Sequence, residues 1–151
     1  MAEADRSLRE RAIRLLAQRD HARAELARKL APHGSAEDIE ATLERMVELG
    51  LQSDQRFAEA WVRSKARRHG SARLRHDLAQ RGVARELIEA ALAHACEDDE
   101  IERARNVWAS RFGQAPADRR EWGKQARFLQ GRGFSTSVIA RLLKEVPDES
   151  A

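Results

Sequence analysis

A chain of 151 residues, 35% charged and 42% hydrophobic, can bury one or two small cores or an array of repeats, and it holds no apolar run near the roughly 18 residues of a membrane-spanning helix. Its one cysteine, Cys96, excludes an internal disulfide framework, and the opening "MAEADRSLRERAIRLL" shows no signal-peptide pattern, so a cytoplasmic location is expected. The net charge of +3 conceals a basic centre: residues 1–51 carry 9 basic and 10 acidic side chains, residues 52–81 carry 8 and 3, and residues 82–151 carry 11 and 12.

Ala, Leu, Arg and Glu dominate, tyrosine is absent and no alternating β-branched run occurs, so nearly everything is expected to be helical. A first helix is expected over roughly 6–18, and a second ends at Leu30, followed by Gly34. Ser35 before "AED" is a near capping box for a third helix carrying Ile39, Leu43 and Met46. Ser53-Asp54 open the next helix, over 54–69, and Asp54 is a candidate N-cap. Ser71 begins the helix that ends at Leu78, with Gly82 beyond it and a sixth helix bearing Leu87, Ile88 and Leu92. The seventh is expected over 98–112, and Pro116 fits the first turn of the eighth, which ends at Leu129 before Gly133. Ser135 opens the ninth, with Val138, Ile139 and Leu142, and Pro147 closes it.

The pairs Leu30/Gly34, Leu78/Gly82 and Leu129/Gly133 mark one pattern read three times, with glycines 48 (34 to 82) and 51 (82 to 133) residues apart. Just past a helix end, glycine takes positive φ without steric cost and turns the chain back on itself. The fold expected is therefore all-α: three tandem three-helix, helix-turn-helix-like repeats over residues 1–51, 52–96 and 97–151. Units so small need their neighbours, and no Gly/Pro/Ser linker separates them, which points to an elongated, curved array.

Catalysis finds little support. The five histidines show no metal-ligand spacing, and Cys96 has no evident partner. The acidic run Glu97-Asp98-Asp99-Glu100 reads as the start of a helix, since consecutive helical residues point about 100° apart and do not converge on one ion. No GxxxxGK[ST] loop is present, and "GRGF" at 131–134 fits a turn. No cofactor, metal or catalytic residue is expected.

The basic centre is the better candidate. Arg56, Arg63 and Arg67 fall at i, i+7 and i+11, within about 40° of one another on a helix. Arg68 and His69 continue towards Gly70, and Arg73, Arg75 and His76 follow. Guanidinium groups meet phosphates or carboxylates bidentately. The plain alternative is a solvated face with no partner. Phe57, Trp61, Leu74 and Leu78 read as core, as does Trp108, and Trp122 is weighed towards packing over an exposed stacking surface.

The stretch "LGLQSDQRFAEAWVRSKARRHGSARLRHDLAQRGV" resembles the RecX family, bacterial regulators of the RecA recombinase, through Asp54, Arg56, Phe57, Ala58, Arg63, Arg67, Gly70, Leu78 and Gly82. "RAIRLLAQRDHARAELARKL" is similar to the family's first unit, and the last repeat matches more loosely. The resemblance implies a cytoplasmic protein without cofactor that lies along RecA filaments on DNA and modulates, mostly inhibiting, RecA's ATPase and strand exchange in recombination, repair and the SOS response. A monomer is expected, with Arg56, Arg63, Arg67, Arg68, Arg73 and Arg75 as partner-binding residues towards RecA, the DNA backbone or both. The competing expectations are a general DNA-binding repeat protein acting without RecA and a helical scaffold for another acidic protein.

Overall fold

The computed structural model describes residues 2–95 and 100–144. Among them the chain forms nine α-helices, one 3₁₀ turn and no strand. In order these are α1 (Ala2–Gln18), α2 (Arg23–Leu30), the 3₁₀ turn Ala31–His33, α3 (Ala36–Glu48), α4 (Asp54–Lys65), α5 (Ser71–Gln80), α6 (Arg85–Ala95), α7 (Glu100–Arg111), α8 (Arg119–Gly131) and α9 (Thr136–Lys144). The all-α organisation expected from the repeat is the one adopted. Cys96, the acids at 97–99 and Pro147 lie outside the described residues.

Several helix starts follow from the expected side chains. Ser35 Oγ accepts from the Asp38 amide at 3.1 Å, Ser53 Oγ from Arg56 at 3.1 Å and Ser135 Oγ from Val138 at 3.2 Å, so each answers an amide that the first turn leaves open. Asp54 is not the cap of α4; Ser53 is, which releases the Asp54 carboxylate for another donor. Pro116 is not in the first turn of α8 either. It is buried in the preceding connection, and Asp118 caps that helix by accepting from Glu121 at 2.8 Å.

The glycine expectation holds at two of its three places. Gly82 has φ +81° and Gly133 φ +92°. Gly34 is extended at φ −172°, because Pro32 carries α2 on into the 3₁₀ turn and the reversal happens there. The helix expected over 54–69 stops at Lys65: the amides of Arg68 and His69 both turn back to the Lys65 carbonyl at 3.0 Å.

Two compact units are distinguished, residues 1–60 with 78–88 and residues 61–77 with 89–151, and the division passes through α4, α5 and α6. In the first unit, α1, α2 and α3 pack on one another through Leu8, Ala12, Leu26, Leu30, Ile39, Leu43 and Met46. Their three- and four-residue spacing places one apolar stripe of each helix inward. In the second unit, α7, α8 and α9 enclose Ala104, Val107, Leu129, Phe134, Ile139, Leu142 and Leu143. Each buried leucine contributes roughly 2 kcal/mol. Phe57, Leu74 and Leu78 are also buried, and Trp61 is half-buried. Trp108 packs against the second core, with its indole N–H donating to Gln125 Oε1 at 2.8 Å. Trp122 is exposed, contrary to the packing weighed for it.

Candidate anion-binding surface

The connection between α4 and α5 is clamped inside the second unit. From α7, the buried Arg103 guanidinium donates to the Ala66 carbonyl at 3.1 Å and to the His69 carbonyl at 3.5 Å, covering the open end of α4. Glu100 Oε1 accepts from the Ser71 amide at 3.1 Å, at the start of α5. The Gly70 amide donates to the Arg132 carbonyl at 2.7 Å and the Ala72 amide to the Gly133 carbonyl at 3.2 Å. Such close backbone approach needs glycine on both sides. A Cβ at Gly70 would lie 2.7 Å from the Phe134 amide nitrogen, and one at Gly133 would lie 2.5 Å from that of Arg73.

This clamp gathers cations. Arg68, Arg73 and Arg132 all act on His69, whose pKa falls below the ordinary histidine value chiefly through burial and then through Arg73; Asp77 opposes the shift. His69 Nδ1 is buried and has no hydrogen-bond partner among the described residues. Arg132 and Arg111 also lie over the Phe128 ring at 5.2 and 5.7 Å, in the range of cation–π attraction. Arg132 is absent from the sequence reading because it stands in the third repeat, more than fifty residues from the basic centre. Its position beside Gly133 was the only signal.

The six expected arginines divide into three kinds. Arg63, Arg67 and Arg68 are exposed, and no carboxylate pairs with them among the described residues. Arg73 reaches Asp77 at 3.2 Å and the Gly131 carbonyl at 3.4 Å, while Arg75 holds Glu89 through two nitrogens at 2.6 and 3.3 Å. Arg56 lies in the first unit, 3.7 Å from Asp20, and does not pair with Asp54. The helical stripe of Arg56, Arg63 and Arg67 is therefore broken, since α4 ends before Arg67.

The first unit holds a counterpart of the clamp. Asp54 Oδ1 accepts from the Arg23 amide at the start of α2 at 2.8 Å and from Gln52 Nε2 at 2.9 Å, and Gln52 also donates to the His21 carbonyl at 3.2 Å. A Cβ at Gly82 would lie 2.6 Å from the Ala24 Cβ. His21 is buried between Arg19 and Lys29. The Lys29 ammonium only donates, so His21 Nε2 (3.1 Å) accepts and Nδ1–H donates to the Arg19 carbonyl (3.0 Å). Burial above all, with Arg19 and Lys29, pushes the His21 pKa down. Among the described residues no three His, Cys, Asp or Glu side chains gather as a metal site, and no helix is long and apolar enough to cross a membrane.

Three family models match in succession: the first three-helix domain of RecX over residues 9–46, the second over 53–92 and the third over 97–143. The regulatory protein RecX of Leptothrix cholodnii is 46% identical over 139 residues, covering 91% of this chain and 88% of that protein. The regulatory protein RecX of Chromobacterium violaceum is 40% identical over 150 residues, covering 99% and 97%. The crystal structure of RecX from Lactobacillus salivarius superposes with a TM-score of 0.84 over 97% of this chain and 98% of that one, at 21% identity, a likeness of fold.

Proposed function

The chain belongs to the RecX family, and from that premise we propose that it binds RecA filaments on DNA and lowers RecA's ATP hydrolysis and strand exchange, as a cytoplasmic regulator without chemistry of its own. The observation that carries this reading is the set Arg63, Arg67 and Arg68: three exposed guanidinium groups with no carboxylate partner among the described residues, in a stretch, residues 52–81, that holds 8 basic side chains against 3 acidic. A fixed guanidinium fork suits the carboxylates of a protein groove and the phosphates of DNA alike. Arg73 and Arg132 extend the positive field beside them, while Arg56 lies by Asp20 and Arg75 is held by Glu89 of α6. The repeats are proposed to begin near residues 1, 52 and 97, which places this basic surface in the second and third.

RecA-catalysed ATP hydrolysis on single-stranded DNA tests the reading, with this protein titrated well below the RecA concentration. Suppression at such ratios is expected, and R63A/R67A/R68A should raise the half-maximal concentration about tenfold or more while helicity stays unchanged. Inhibition only at amounts that coat the DNA, with a steep salt dependence of binding to bare DNA, would instead support a general phosphate-binding protein acting without RecA.

A further inference from the structure

A second cationic site stands in the first unit, outside the basic centre. Arg11, Arg14 and Leu15 follow i, i+3, i+4 spacing on α1, and Lys29 and Leu30 at the end of α2 face the same cleft with His33 of the 3₁₀ turn. The cleft has a volume of about 340 Å³, enough for one or two side chains. Its apolar floor is the half-buried Leu15, behind which Leu30 is fully buried in the core, and its rim is basic. Neither Arg11 nor Arg14 meets a carboxylate among the described residues, although residues 1–51 hold 10 acids for 9 bases. Some arginines of the same unit do find partners: Arg19 with Glu25, Arg23 with Glu40, Arg45 with Glu48. Among the described residues the one polar partner of Lys29 is the His21 ring, so no carboxylate there answers its charge.

We propose that this cleft binds an acidic peptide segment of a partner protein, with one apolar side chain seated on Leu15 and flanking carboxylates held by Arg11, Arg14 and Lys29. Charge complementarity selects the anion, and the apolar floor selects the peptide. A nucleic-acid backbone would satisfy the rim and leave the floor unused, whereas an Asp/Glu-flanked leucine satisfies both. His33 reaches the cleft from the 3₁₀ turn Ala31–His33, which contains Pro32, and Gly34 lets the chain close against Leu8, where a Cβ would lie 2.7 Å from Leu8 Cδ1.

Fluorescence anisotropy with a short labelled peptide, a central Leu flanked by Asp and Glu, tests this on the full chain. R11E/R14E should weaken binding about tenfold or more, while R63A/R67A/R68A leaves it unchanged. Replacing the central Leu of the peptide by Ser should weaken binding several-fold. Should the double variant lose helicity, Arg14→Glu alone gives the same reading. Equal binding by the charge-reversed protein would overturn the proposal. So would indifference to the Leu-to-Ser change together with displacement of the peptide by a thymidine oligonucleotide of equal charge, since the cleft would then be reading charge alone.

Discussion

The start of α2 and the start of α5 are built on one plan and differ in their electrical surroundings. In each, an acid from the head of the next repeat accepts the first amides, Asp54 for Arg23 and Glu100 for Ser71. In each, a positive-φ glycine from that same next repeat closes on the following residues, Gly82 on Ala24 and Gly133 on Arg73. At the start of α2 the charges are answered: Asp20 lies by Arg56 and Glu25 holds Arg19 at 2.6 Å. Around α5 three arginines press on His69 against Asp77, and a buried arginine, Arg103, replaces side-chain caps at the end of α4. The shared plan is structural. The unanswered charge is where a partner has reason to come.

The sharpest way to break the comparison is at the glycines. Gly133→Ala should cost about 3 kcal/mol, because left-handed backbone strain adds to overlap with the Arg73 backbone, which cannot swing away. Gly82→Ala should cost less, about 2 kcal/mol, since it meets only the Ala24 methyl. Thermal unfolding of both variants measures the gap, and equal losses would mean that the two glycine contacts are equivalent.

Arg103→Met should follow at about 2 kcal/mol, because it strips the Ala66 and His69 carbonyls of their buried donor while roughly keeping side-chain volume. Asp54→Ala, removing the matching support in the first unit, should cost about 1 kcal/mol. Urea denaturation monitored by circular dichroism would rank them; the reverse order would place the greater dependence at α2.

The smallest effect is on pH. His21 and His69 both have folded-state pKa values below the ordinary one, so the unfolded chain takes up protons first. Stability is then full above about pH 6.5 and falls as the pH drops from there towards the folded-state values. His69→Gln should make that decline shallower, which unfolding curves across the acid range would reveal; an unchanged slope would remove His69 from the account.

The helices were legible because their apolar stripes and the serines at 35, 53 and 135 are local signals. Gly34 misled because Pro32, two residues before it, had already taken over the turn. The stop at Lys65 was hidden, since the Arg103 guanidinium that receives the loose carbonyls comes from 37 residues further along. Within the site, the Asp77 that engages Arg73 stood in plain view at i+4. The Glu89 that holds Arg75 is 14 residues away and the Arg132 that strengthens the basic field belongs to another repeat, so only the folded chain brings them in.

One further feature distinguishes the third repeat. Its middle helix, α8, carries its own cap in Asp118, whereas α2 starts at Ala22 with no side-chain cap and α5 at Gly70, which has no side chain to offer. Seen in the order of synthesis, the amide of Arg23 waits for a carboxylate that emerges 31 residues later, and that of Ser71 for one 29 residues later. Each of the first two repeats is therefore finished by its successor. A nascent chain halted after the second repeat would hold a completed first repeat and an open second one, so completion follows synthesis one repeat behind.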